Sequence, residues 1–580
     1  MNPERLLQNF DRLINTPDAV PRLRRFILDL AVRGKLVEQN PEDEPAAELL
    51  KRIEAEKKRL INNGVIRVPK SYELLNETEP LFNLPKTWKW VRLCDVGSII
   101  GGGTPPSKDE SCFTVGGKGI AWLTPADLGK HDDLFISHGA RDLTEKGLAT
   151  SSARLMPAGS VLFTSRAPIG YTAIAANKIS TNQGFKSVLP YVSESNRYIA
   201  VYFNAFASWI DSKASGTTFR EVSGKIVANL PFPLSPIAEQ HRIVAKVEEL
   251  MKLCDELEAE QAKRERRRNR LVAATLHGLN NGKVDNRNDE SLSFEDSARF
   301  YFNHLPRLTT RPEHIQQLRQ TILNLAVRGK LVPQDPKDEP ASELLTRMEN
   351  EKVRLVEEGV IKKQELVDPV KECDMPFRIA HSWQAVRMGL LARKLGAGST
   401  PLGGKTVYQS QGVPFLRSQN IHDDGLRLDD VALIPRTVHN RMSGTHIQKG
   451  DILLNITGAS IGRCALVPND FPEGNVSQHV AIIRLFDPSI REFIHLSLIS
   501  PIYQRMIMNV QVGVSREGLS MQSLKTFTMV LPPRAEQHRI VTKVNELMAL
   551  CDQMEAQFTT NITTSRKLFE ATLQEALVSQ

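Results

Sequence analysis

The sequence predicts an α+β protein built as an internal repeat, with two mixed α/β domains set between helical segments that include two long helices. Three observations carry this expectation. Leu30–Ile66 (LAVRGKLVEQNPEDEPAAELLKRIEAEKKRLINNGVI) returns without a gap as Leu325–Ile361, with 26 of 37 positions identical. AEQHRIVAKVEELMKLCDELEAE from Ala238 returns from Ala535 with 17 of 23 positions identical. The blocks between these segments do not match closely. A scaffold kept in duplicate around two unlike inserts implies one task performed twice, on two different halves of a target.

The elements follow in order. Residues 1–80 form a helical region: Leu23, Ile27, Leu30 and Ala31 recur at helical spacing until Gly34. Pro45 then opens a second helix, striped by Leu49, Leu50, Ile53 and Leu60 and stopped by Gly64. Residues 81–235 are the first variable domain, with TWKWVRL, the glycine turn GGGTPP at Gly101, GIAWL at Gly119 and the strand-like PAGSVLFTSRAPIG. Residues 236–279 read as a long helix with a heptad seam at Ile243, Val247, Leu250, Cys254 and Leu257, which turns polar at Gln261, Arg264 and Arg268. Residues 280–312, rich in Asn, Asp and Ser, read as a linker. The second copy keeps the punctuation. Residues 313–374 repeat the helical pair with Gly329, Pro340 and Gly359, and 375–533 repeat the variable domain with SWQAVRM, GAGSTPL, GVPFL and QKGDILLNITGASIG. Residues 534–580 close with the seam Ile540, Val544, Leu547, Cys551 and Met554. A helix of about 35 residues extends roughly 50 Å, enough to hold two domains apart.

With 580 residues and 41% hydrophobic content, three or four packed domains are expected. No run approaches the roughly 18 apolar residues of a membrane helix, and MNPERLLQNFDRL does not read as a signal peptide, so a cytoplasmic protein with no membrane partner is expected. Six scattered cysteines without CxxC spacing support neither a metal site nor a disulfide framework, and Cys254 and Cys551, at equivalent positions, read as helix packing. A net charge of +8 permits a polyanionic partner.

No motif supports catalysis. Gly398–Thr406 approaches GxxxxGK[ST] but misses its spacing by one residue, and Pro401 removes a backbone N–H from the would-be phosphate cradle. No methyltransferase tetrapeptide is present. His241 and His538 in the repeated EQHRIV lack a nucleophile and read as structural or interface residues; the acidic runs Glu42–Glu44 and Asp132–Asp133 read as solvated charge. The basic run Lys263–Arg270 is either a solvated helix face or a contact to acidic groups on another subunit or to DNA phosphates. Within the variable domains, side chains able to donate to bases or phosphates gather near glycines. The first set is Arg166, Asn182, Gln183, Lys186, Thr217, Thr218, Arg220 and Lys225. The second is Arg417, Gln419, Asn420, Asn455, Thr457, Arg463, Gln478, His479, Ser515, Arg516 and Lys525. Arg and Lys suit guanine, and Asn and Gln suit adenine, in the major groove.

The paired repeats LAVRGKLV…DEPA…ELL and AEQHRIV.KV.ELM.LCD, alternating with two variable domains over essentially the whole chain, resemble the specificity subunit of type I restriction-modification systems. The resemblance implies two target recognition domains separated by two conserved long helices that form an antiparallel coiled coil. It implies partners: double-stranded DNA, two modification subunits and, through the complex, restriction subunits. It also implies that the chain is not an enzyme and carries no cofactor; S-adenosylmethionine for adenine-N6 methylation, and ATP and Mg2+ for cleavage, belong to the partner subunits. Unequal inserts imply a bipartite, nonpalindromic site. A noncatalytic coiled-coil scaffold that binds only proteins is the alternative; it does not need two glycine-punctuated mixed domains.

Overall fold

A computed structural model describes residues 18–64, 66, 81–131, 133–166, 168–216, 220–281, 294–363, 367–510 and 518–578. The chain divides into two compact units. One holds the residues up to Arg264 together with those from Ile562 onward, and the other holds Glu265–Asn561. Each unit therefore combines the first part of one long helix with the last part of the other.

In the first unit, α1 (Ala19–Val32) and α2 (Ala46–Asn62) form the helical pair. The variable domain follows as β1 (Lys89–Arg92), β2 (Gly97–Gly101), β3 (Ile120–Leu123), β4 (Val161–Ser165), β5 (Ile169–Ala175), β6 (Ser180–Thr181), β7 (Lys186–Pro190), α3 (Asn196–Ser212) and β8 (Pro231–Leu234). The main sheet runs β2-β7-β4-β5 with antiparallel neighbours and is extended beyond β5 by the short parallel strand Phe135–Ile136, while β3 pairs in parallel with β6 in a second sheet. Aromatic packing holds α3 to the main sheet, with Phe203 stacked on Phe163 at 4.3 Å between ring centres. Antiparallel pairing of β8 with β1 then returns the chain to where the domain began, and α4 (Ile237–Asn281) starts there.

The second unit repeats this construction. Its helices are α5 (Phe294–Leu308), α6 (Pro312–Val327) and α7 (Ala341–Glu357). Its domain comprises β9 (Gln384–Arg387), β10 (Ala392–Ala397), β11 (Val413–Leu416), β12 (Ile452–Asn455), β13 (Cys464–Leu466), β14 (Asn475–Val476), β15 (Val480–Leu485), α8 (Arg491–Ile499), α9 (Pro501–Asn509) and β16 (Thr528–Leu531), followed by α10 (Arg534–Val578). The sheet order β10-β15-β12-β13 and the parallel pair β11–β14 reproduce the first domain. One departure is local: Pro501, which has no N–H to donate, ends α8 and starts α9 where the first copy has the single helix α3. A second departure concerns residues 280–312, expected as a linker. They contain α5, whose Ala298, Tyr301, Leu305 and Leu308 recur at helical spacing and join the core, with Tyr301 fully buried. The Asn/Asp-rich composition upstream masked that stripe.

Both heptad seams begin in these cores. Ile243, Val247 and Cys254 are buried with Ile27, Ala31 and Leu49, while Leu250 and Leu257 are partly buried at the edge. In the second unit Ile540, Val544 and Cys551 are buried, and Leu547 and Met554 lie at the edge of the cluster holding Ala326 and Leu344. The first turns of each seam thus pack on the helical pair and domain of their own unit.

Polar contacts fix the same junction twice. Buried Glu239, in the first turn of α4, accepts hydrogen bonds from Trp88 Nε1 (2.9 Å) and Gln39 Nε2 (2.5 Å), and Glu536 in α10 accepts from Trp383 Nε1 at 3.0 Å. One turn on, Arg242 pairs with Asp43 and Arg539 with Asp338, each at 2.6 Å. Arg24 bridges Asp255 (2.6 Å) and Glu258 (3.1 Å), as Arg319 bridges Asp552 (2.5 Å) and Glu555 (3.0 Å). Burial pushes the carboxyls of Glu239 and Glu536 above the usual glutamate range, against the pull of their tryptophan donors. Gly34 and Gly329, both at φ 68°, lie beneath those tryptophans. A Cβ on Gly34 would stand 2.5 Å from Pro85 and 3.1 Å from Trp88, and one on Gly329 would stand 2.8 Å from Trp383.

Two outcomes are expected. Gly64 has φ 67° but open space around it, so Gly64→Ala carries only the left-handed cost of about 1 kcal/mol. Gly34→Ala adds a steric cost of about 1–3 kcal/mol, and urea midpoints of the two variants measure the difference. Because Glu239 and Glu536 hold their protons more tightly when folded, their stabilising contribution is full below the ordinary value of 4.5 and is lost as pH rises through the raised values. The double variant Glu239→Gln, Glu536→Gln should flatten that fall in denaturation midpoint above pH 4.5; an unchanged slope would contradict the assignment.

Candidate nucleic-acid interface

The two variable domains share one backbone frame at the end of the main sheet. Four hydrogen bonds build it in the first unit: Asn182 N to Leu123 O (2.8 Å), Ser165 N to Gly184 O (2.8 Å), Val222 N to Ser165 O (2.9 Å) and Gly103 N to Thr181 O (2.9 Å). Their counterparts are Ser477 N to Leu416 O (2.9 Å), Ile456 N to His479 O (2.9 Å), Leu519 N to Ile456 O (2.8 Å) and Ser399 N to Val476 O (3.1 Å). The glycine turns are pressed onto this frame. A Cβ at Gly102 would stand 1.9 Å from Asn182 O, and one at Gly398 would stand 2.1 Å from Val476 O. Carbonyl oxygens at that distance make the turn a strand clasp rather than a phosphate cradle.

On this frame the side chains differ. Arg166, leaving β4, lies 4.0 Å from Glu221, and Lys186 at the start of β7 reaches Glu221 at 2.9 Å and Ser165 Oγ at 3.5 Å. Exposed Gln183 accepts a hydrogen bond from Thr104 in the glycine turn. In the second domain, Thr457 takes the place of Arg166, Gln478 that of Gln183 and Gly518 that of Glu221. Thr457 Oγ1 and exposed His479 Nδ1 are 2.5 Å apart. Buried Asn455 donates to Ser418 O (2.8 Å) and Ser460 Oγ (3.1 Å), tying the loop after β11 to the end of β12. That loop presents Arg417, which donates to Asp430 O (3.0 Å), and Gln419, which donates to Asp430 Oδ2 (2.9 Å). Exposed Arg463 belongs to the same turn through Asn455 N to Arg463 O, 2.8 Å. One surface carries an Arg–Lys–Glu cluster; the other carries mainly neutral donors and acceptors beside Arg463 and the Arg417–Asp430 pair.

Several candidates have other positions. Asn182 Oδ1 accepts from Gly184 N (2.8 Å), and buried Asn420 accepts from Arg417 N (3.0 Å) and donates to Arg427 O (2.9 Å), so both shape loops. Arg220 donates to Asp211 O at 2.7 Å, Lys225 is exposed on the short helix Gly224–Ala228, and Lys525 ends the corresponding helix Met521–Lys525. Thr217, Thr218, Ser515 and Arg516 lie outside the described residues. Sequence reasoning missed Thr104 and Glu221. The signal for Thr104 was its place beside the glycine turn; Glu221, an acceptor among donors, had none. In the basic run, Lys263 pairs with Glu260 (3.0 Å), and Arg268 pairs with Glu265, which also meets Arg311 at 3.2 Å, so part of its charge is engaged within the protein.

Known proteins show the same duplication. The family model described as type I restriction modification DNA specificity domain matches residues 85–265 and again 381–564, together more than half of the chain. The EcoEI specificity subunit of Escherichia coli, a type I restriction enzyme subunit, is 31% identical over 96% of this chain and 94% of its own length. The EcoAI specificity subunit of E. coli is 30% identical with the same coverage. A crystal structure of the HsdS subunit from Thermoanaerobacter tengcongensis aligns over 86% of this chain and 98% of that one, at 18% identity and a TM-score of 0.40. Two copies of the domain, and relatives at this identity along nearly the whole sequence, establish that the chain belongs to the type I restriction-modification DNA specificity family.

Proposed function

We propose that this chain is the noncatalytic, sequence-reading subunit of a type I restriction-modification complex, each variable domain contacting one half of a bipartite, nonpalindromic DNA site. The observation that carries the reading is the repeated backbone frame with exchanged side chains. A common frame presents two surfaces to the same kind of polymer; different side chains select different bases. Arg166 and Lys186 suit guanine edges or phosphates, Glu221 can accept from a cytosine amino group, and Gln183 and Gln478 suit adenine. Arg417, Gln419, Thr457, Arg463 and His479 complete the second surface. Asn182, Asn420 and Asn455 shape loops, Arg220, Lys225 and Lys525 are flanking contacts to backbone phosphates, and Thr217, Thr218, Ser515 and Arg516, outside the described residues, are further candidate DNA contacts.

The matched helical pairs and long helices dock two equivalent modification subunits and act as an antiparallel spacer. Each long helix has 45 residues and is roughly 65 Å long. The partner subunits supply adenine methylation with S-adenosylmethionine, and ATP- and Mg2+-dependent cleavage, in the cytoplasm.

Mapping methylated adenines in cells carrying the assembled complex tests both parts. Gln183→Ala with Lys186→Ala should relax one half-site only, by about 1–3 kcal/mol per lost base contact, and Gln478→Ala with His479→Ala should relax only the other. A change in both halves from either pair would defeat the assignment of one domain to one half. Inserting one heptad into both long helices should alter the tolerated gap while both half-sequences persist; a new half-sequence at constant gap would contradict the spacer role.

A further inference from the structure

One difference between the copies lies in the scaffold, where sameness is the rule. In the first copy, Arg33 forms an ion pair with Asp29 at 2.9 Å and lies 4.6 Å from the centre of the Phe82 ring. The second copy reads ILNLAVRG where the first reads ILDLAVRG, so Asn324 replaces Asp29 beside the equivalent Arg328. Asn324 is buried and its Oδ1 accepts a hydrogen bond from Ile502 N at 3.2 Å. Among the described residues no carboxylate pairs with Arg328. Its guanidinium donates to the backbone oxygen of Asn280, and both burial and the nearby charge of Arg505 work against its cationic form.

Arg328 and Arg505 line a cavity of about 400 Å³ with His277, Asn280, Asn324 and Asn509, between the end of α4, α6 and α9. Asn280 Nδ2 donates to Leu276 O (3.0 Å) and Thr321 Oγ1 (3.2 Å), while its buried Oδ1 has no hydrogen-bond partner. Among the described residues neither guanidinium has a carboxylate partner and Asn280 Oδ1 has no donor, a lining that suits an anionic group attached to a hydrogen-bond donor. Guanidinium forks match phosphate oxygens, and a cavity of this size admits a phosphate together with attached atoms that carry a donor. A concave site also favours a phosphate group over the flat run of contacts that a duplex backbone makes.

We propose that this cavity is a phosphate-binding site present in the second copy alone, created by the exchange of aspartate for asparagine, with Arg328 and Arg505 holding the phosphate oxygens and Asn280 accepting from the rest of the ligand. The site is independent of the recognition surfaces and of the reading given to them.

The decisive variant is Asn324→Asp. It keeps the acceptor for Ile502 N and gives Arg328 the carboxylate that Arg33 already has, so the fold is retained while the site is neutralised internally. Calorimetric titration of the full chain with inorganic phosphate, at ionic strength held constant with chloride, should show saturable binding that weakens at least tenfold in Asn324→Asp. Arg505→Gln should weaken it as well, and thermal melts of both variants report folding. No saturable binding to the wild type, or equal binding by folded Asn324→Asp, would overturn the proposal. Adenosine monophosphate and a short duplex, each used to compete with phosphate, separate the sources. Tighter competition by the nucleotide assigns a soluble phosphorylated molecule and supports the proposal. Competition by the duplex that is lost in Asn324→Asp assigns the phosphate to DNA and also supports it; duplex competition unaffected by Asn324→Asp places the binding elsewhere and overturns it.

Discussion

The structure depends on a carboxylate that has been taken out of water. Glu239 and Glu536 sit in the first turn of a long helix, where the positive end of the helix dipole offsets part of the burial cost, and each accepts a hydrogen bond from the indole of the tryptophan that opens its variable domain. Removing the indole would leave Glu239 with Gln39 as its remaining donor and would take from Glu536 the donor given by Trp383, so helix and domain are fixed in one geometry. The tryptophan stands just before the first strand of the domain and the glutamate just after its last, and β1–β8 and β9–β16 pair beside them. Both ends of each insert are therefore fastened at one point. What lies between can change without moving the helices.

That arrangement accounts for what was legible in the sequence. Helical punctuation by Gly34, Pro45 and Gly64, with equivalents at Gly329, Pro340 and Gly359, is a local signal, and the helices end where those residues stand. The seam residues Ile243, Val247, Cys254, Ile540, Val544 and Cys551 were legible because burial follows helical periodicity, and all six are buried. Helix α5 was harder to see, since Asn280–Asp289 dominate the composition of its neighbourhood.

The candidate surface was legible only in part, because it is assembled from loops far apart in sequence. The donors near glycines include Lys186, Gln183, Gln478 and His479, which the frame brings to the sheet end. The same set took in Asn420 and Asn455, which are buried and whose amide nitrogens donate to loop backbone or to a serine hydroxyl. Composition cannot separate an amide that faces a partner from one that holds a turn. Glu221 shows the converse, since an acid matters here only because Arg166 and Lys186 converge on it in space.

The division of the chain into units also bears on how the protein comes into being. Residues from Ile562 onward belong to the first unit, where Phe569 packs on Ala19, and Arg566 and Glu570 pair with Asp18 and Arg22. A ribosome makes these residues only after the whole of the second unit. The first unit to emerge is thus the last to be completed, and until then the start of α1 has acquired neither its apolar cover nor its ion-pair partners from α10. The core of the first variable domain is drawn wholly from residues that precede α5, so what waits on translation of the other copy is the helical end of the first unit rather than its domain.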